Sequence, residues 1–294
     1  MYLIHNHKGI NNMKTQKIML FAAIAILILL QLSTYAQQDS ISQAVKKYWK
    51  KVDQISTYYV KGTGITKKFS DSDIDTLTKI YYKAISDDPV GYNRSIDNER
   101  DQEEKIVKEN SGNFSIVTPR IKSMRTIRNL IINKYGKNFS EIISVPYYLK
   151  VKVISDSGSI YEGLINSKMG SNPHNILRAI QANLFVTVED VIKGSKYFKA
   201  GQNITISYLT NWISESKNFK TAFEKGKSYF IPLRPWDSKH GYSKLTLYIL
   251  PDNNYSIYPI ENGIILTPGN YFGIGESSNW EVFKNNFIKK YILN

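Results

Sequence analysis

The hydrophobic period of this chain changes at Pro146, and that change constrains the fold more than any motif does. Before it, apolar residues recur every three to four positions; after it, they alternate. The first spacing places side chains on one stripe of a helix and the second places them on one face of a strand. A chain with both patterns in separate halves is an α+β protein, helical first and β-rich second.

In the first half, Ile41, Ala44, Val45, Tyr48, Val52, Ile55 and Tyr59 predict a helix over 40–60, capped by Asp39 or Ser40. A glycine-broken connection, KGTGITKK, follows. Ile74, Leu77, Ile80, Tyr81, Ala84 and Ile85 predict a second helix starting after Ser70 or Ser72 and ended by Pro89 and Gly91. Residues 86–113 are polar and charged, which fits either a solvated helix or an exposed linker. A third helix is expected over 120–135, with Ile121, Met124, Ile127 or Arg128, Ile131 and Tyr135 on one side and Gly136 as its stop.

In the second half, YLKVKVI (148–154), LFVTV (184–188) and NITISYL (203–209) alternate. SYFIPL (228–233), LTLYIL (245–250) and NGIIL (262–266) continue the series, with turn signals such as SDSG, KG, PDNN and ENG between them. A short helix is expected near NILRAIQ. Many short strands with frequent turns favour a barrel or sandwich over a parallel sheet. The chain closes on SSNWEVFKNNFIKKYIL, where Ser278 and Glu281 have capping-box spacing and Trp280, Phe283, Phe287 and Tyr291 make one aromatic stripe. Such a stripe is expected to pack on the β half.

The first 36 residues read as an export signal. Lys14 and Lys17 precede the apolar run IMLFAAIAILILL, and Thr34-Tyr35-Ala36 offers a small-x-small cleavage site. The run is too short for an ordinary membrane span, although an uncleaved anchor is the alternative. Met13 is the more usual start. The expected organisation is a signal at 1–36, a helical region at 37–140 and a β-barrel with a terminal helix at 141–294. The expected location is secreted or periplasmic.

The chain has no cysteine, so disulfides, thiol nucleophiles and cysteine metal sites are excluded. The net charge of +14 is spread along the chain. Nucleic-acid binders concentrate such a surplus on one face or arm, so no nucleic-acid partner is expected.

VTVEDVIKG, AGQNITISYL and FEKGKSYFIPL, in that order, carry a resemblance. A strand ending in a "vlKG" turn precedes a "G-x-x-I-x-V" strand and an "f-x-x-G-x-x-Y-l-x-x-L" strand, the last matched by Phe223, Gly226, Tyr229 and Leu233. A glycine-rich turn, NYFGIG, and a terminal helix complete the set. Over about 145–294 the chain resembles a bacterial secreted form of the netrin/TIMP-like OB-fold proteins. The resemblance implies an OB-like antiparallel β-barrel with Val186, Val188 and Val191 facing inward and Gly194 and Gly226 at its corners. The TIMP members reach a protease zinc through a disulfide-tied N-terminal cysteine, which this chain lacks, so that activity is not carried over.

Motifs that carry chemistry are sparse. Asp237 and His240, in WDSKHG, are candidates for an acid/base pair, and a lone loop histidine is the plainer alternative. No set of three metal ligands is apparent, so neither metal nor cofactor is expected. DSDIDTLTKIYY begins like a calcium loop but has Thr76 and Tyr82 where glycine and glutamate are required. Its acids instead suit a helix N-terminus. Ser214 and Lys217 form a bare S-x-x-K without companion motifs. Trp212, Trp236 and Tyr242 are candidates for a sugar-binding face, with burial as the competing explanation. The reading is an exported, non-enzymatic binding or interaction module of the envelope or exterior, taking a protein or glycan partner. A secreted hydrolase acting on an envelope polymer, or a peptidase-inhibitor-like protein, is the alternative.

Overall fold

A computed structural model describes residues 41–60, 68–109, 117–166, 176–209, 223–235, 247–249 and 257–293. Among these residues five helices come first: α1 (Gln43–Val60), α2 (Asp71–Asp87), α3 (Pro89–Glu109), α4 (Pro119–Tyr135) and α5 (Lys137–Ile143). Eight strands follow: β1 (Tyr147–Asn166), β2 (Ile176–Lys193), β3 (Asn203–Leu209), β4 (Ser228–Pro235), β5 (Leu247–Ile249), β6 (Tyr258–Glu261), β7 (Ile264–Leu266) and β8 (Ser277–Asn279). Helix α6 (Trp280–Tyr291) ends the chain. Ser42–Asn294 is one compact unit.

Local chemistry explains most helix boundaries. Ser70 accepts from the Asp73 amide while the Asp73 carboxylate accepts from the Ser70 amide, a complete capping box, and Asp71 and Asp73 fill the first turn of α2. The predicted stripe of α2 is buried throughout. Helix α1 begins later than expected: the Ser42 hydroxyl accepts from the Val45 amide, so Ser42 caps it in place of Asp39 or Ser40. Pro89 does not merely end α2 but opens α3, where a missing amide hydrogen costs nothing. The Asp88 carboxylate between them accepts from the Gly91 and Ser42 amides, tying the starts of α3 and α1 together. The polar stretch 86–113 is therefore helical over most of its length. Gly136 stops α4 as expected, Thr118 caps its start by accepting from the Ile121 amide, and Ile127, not Arg128, lies on its buried side. Between α1 and α4, the buried hydroxyls of Ser56 and Ser123 meet at 3.0 Å.

The sheet runs β1-β2-β3-β5-β4-β6-β7-β8, with β1 also paired to β4. All pairings are antiparallel except β3 with β5. Strand β2 begins at Ile176, in register with Asn166, so NILRAIQ contributes to a ladder and not to a helix. A long hairpin partner overrides weak local helix preference. β6 and β8 escape sequence reading because four and three residues are too few for a period.

Strand β4 is buried on both faces, and β1 is so at its start. Tyr147, Leu149, Val151 and Val153 alternate with Tyr148; Tyr229, Ile231 and Leu233 alternate with Phe230. The first set joins Leu184, Val186, Val188 and Ile206 in one core. Tyr148 and Phe230 point the other way, into a core shared with α1, α2, α4, α5 and α6. The four aromatics of the α6 stripe are buried there, and Phe230 touches the rings of Trp280, Phe283 and Phe287 at 5.2–5.7 Å. Helix α6 is capped by Asn279, which accepts from the Glu281 amide; Ser278 lies in β8.

Candidate functional site

The stretch EDVIKG at the end of β2 holds three parts of the unit together. Glu189 pairs with Lys150 on β1 at 3.3 Å. The Asp190 carboxylate accepts from Lys284 Nζ at 2.6 Å and from the Trp280 indole at 3.2 Å, fastening α6 to the sheet. Lys193 is 5% exposed and donates to the carbonyls of Ile143 and Val145, at 3.0 and 2.7 Å, where α5 ends. Its ammonium also lies 4.2 Å from the centre of the Tyr82 ring, an attractive geometry for a cation over an aromatic face. Burial, then the nearby Arg234, holds its pKa well below the ordinary lysine value. Gly194 follows at φ +102°, and a Cβ there would stand 2.6 Å from the Tyr147 ring. Gly226 also has positive φ, but open space surrounds it. These residues build corners and joints, and none of them lines the cleft beside them.

A cleft of about 580 Å³ does open beside this joint. Helices α2, α3 and α4 form its walls, and Ser144, Pro146 and the end of β4 close one side. Tyr48, Tyr81 and Tyr92 lie along it, with ring centres 5.4–6.2 Å apart. Burial raises the pKa of all three hydroxyls above the phenol range. Arg234 and Arg128 pull Tyr81 back in part, so both guanidiniums act on that one hydroxyl.

Four guanidiniums, Arg100, Arg125, Arg128 and Arg234, line the cleft, against two carboxylates, Asp97 and Glu103. Arg100 is paired with Asp97 at 3.9 Å. Among the described residues, Arg125, Arg128 and Arg234 have no ion-pair partner. Arg234 donates to the Ser144 hydroxyl at 3.4 Å, and its buried Nε has no partner. Arg120, by contrast, is fully engaged by Asp53 and Glu99, at 2.7 and 3.2 Å, outside the cleft. A second hollow, of about 360 Å³ between α1 and α2, brings no comparable set of charges together.

Trp212, Trp236, Asp237, His240 and Tyr242 all lie outside the described residues, as do Ser214 and Lys217. None of them is brought into the cleft by the described structure, although Trp236 and Asp237 follow directly on Pro235 in sequence. The cleft residues were not singled out by sequence reasoning. The available signal was the scarcity of arginine: the chain has seven, among thirty-nine basic residues, and four of them line this cleft. No group of three or more histidines, cysteines or acids that could hold a metal occurs among the described residues. No helix among them is long and apolar enough to cross a membrane. Neither models of protein families nor the sequences of curated proteins match this chain.

Proposed function

We propose that this chain is an exported, non-enzymatic binding module of the cell envelope or exterior, and that its ligand enters the cleft between α2, α3, α4 and the end of β4. One observation carries the reading. The cleft concentrates unpaired guanidiniums over raised-pKa phenols, and neither type of group exchanges protons near neutral pH. Such a lining holds a ligand without acid/base work. Location outside the membrane, with a protein or glycan partner and no nucleic acid, follows from the N-terminal sequence and the even spread of charge. An OB-like barrel of the netrin/TIMP-like kind is the proposed form of the sheet. It is supported by the circuit of pairings from β1 through β2, β3, β5 and β4 back to β1, and by the single parallel pair β3–β5.

The test is capture from the native envelope fraction by tagged residues 37–294, washed at low and then high salt. A defined protein or glycan retained in high salt is the expected result. Retention only of polyanions that wash off with salt would contradict the reading, since a surplus of lysine alone produces that behaviour.

A further inference from the structure

The distribution of the two basic side chains is uneven. Lysines supply thirty-two of the thirty-nine basic residues, and they are scattered along the chain. The cleft is the place where arginines gather. A guanidinium presents a planar fork of donors that matches a carboxylate or phosphate, whereas an ammonium is a compact point charge. Arg125 and Arg128 are three apart on α4 and so project from one face. Arg234 comes from a strand more than a hundred positions away and stands across from them, its Nε buried and unpartnered. Ile96, Met124 and Tyr92 line the same cleft and offer an apolar wall.

We infer that the cleft binds an organic oxyanion, its phosphate or carboxylate group held among Arg125, Arg128 and Arg234 and its apolar body laid against Ile96, Met124 and Tyr92. The inference rests on the binding-module reading and gives that module's ligand its chemistry. With one carboxylate already engaged by Arg100, the remaining charge in the cleft is positive and calls for a polyvalent anion. No bond is made or broken.

The experiment is calorimetric titration of residues 37–294 with phenyl phosphate, phthalate, inorganic phosphate and phenol. Saturable binding of phenyl phosphate or phthalate is expected, tighter than that of inorganic phosphate, with none for phenol; which of the two binds tighter separates phosphate from carboxylate recognition. Arg125→Gln and Arg128→Gln, both at exposed positions, should each weaken binding about tenfold, the loss of one charge-assisted contact. Lys46→Gln, on an exposed position of α1 outside the cleft lining, should leave it unchanged. Absence of saturable binding, or equal weakening by Lys46→Gln, would overturn the inference. An envelope partner captured as well by the double variant Arg125→Gln/Arg128→Gln as by the unaltered chain would also overturn it, while leaving the binding-module reading standing. Cleft-dependent titration with no captured protein or glycan would leave the oxyanion site standing and overturn only the protein or glycan partner in that reading.

Discussion

Phe230 and Ile231 are neighbours in β4, yet they belong to different cores. Ile231 faces a largely aliphatic interior with Leu149, Val151, Val186 and Val188, all contributed by strands. Phe230 faces an aromatic cluster completed by Trp280, Phe283 and Phe287 from the last helix and continuous with the side chains of α1, α2 and α4. The first core is what a sheet makes by alternation. The second joins segments more than 200 positions apart and welds the helical half to the β half. The difference teaches that the change of period at Pro146 marks a change of secondary structure but not a boundary between cores.

The largest effect is expected at Phe230. Phe230→Ala should cost about 3 to 5 kcal/mol in urea unfolding and leave the helical half loosened relative to the sheet. Ile231→Ala should cost about 2 to 4 kcal/mol while the two halves still unfold together. Equal loosening by both would erase the distinction between the cores.

Next comes Gly194→Ala, which combines a left-handed backbone with a collision against the Tyr147 ring. It should cost about 2 to 3 kcal/mol, against about 1 kcal/mol for Gly226→Ala, where only the backbone conformation opposes a side chain. Thermal denaturation of both variants checks the order. Asp190→Asn should follow, at about 1 to 2 kcal/mol, because it weakens the Lys284 and Trp280 contacts that hold α6. Partial exposure of the pair keeps the effect moderate.

The smallest effect is a slope. The folded-state pKa of Lys193 is lowered, so the unfolded chain binds more protons at this residue between that value and the ordinary lysine pKa. Stability contributed here therefore rises with pH across that window. Above about pH 10 the raised pKa values of the buried tyrosines oppose it, since the unfolded chain then ionises first. Denaturation of the unaltered chain and of Lys193→Met should show a rising slope up to that point only in the former.

The sequence made the inner face of the strands legible because alternation is a local signal, and it made the α2 stripe and its acidic start legible for the same reason. The aromatic stripe of α6 was readable as a buried face, but its partner Phe230 was not, because nothing near SYFIPL marks which face it takes. Cap positions shifted by one to three residues, at Ser42 and Asn279, where several polar residues could serve. Lys193 follows a strand and precedes a glycine, a pattern that reads as a surface turn; its burial depends on α5 and Tyr82, far away in sequence. The cleft was hard to read for a similar reason, with the scarcity of arginine as its one signal. Its arginines come from α3, α4 and β4, and only Arg125 and Arg128 are related by a helical spacing.

The central claim is that the helices and the sheet are one folding unit joined through the aromatic core. Amide hydrogen exchange on residues 37–294 tests it most directly. The account predicts one shared opening free energy for buried amides in α2, such as those of Ile80 and Ile85, and in β4, such as those of Phe230 and Ile231. A separate, lower opening free energy for α2, with β4 still protected, would contradict it.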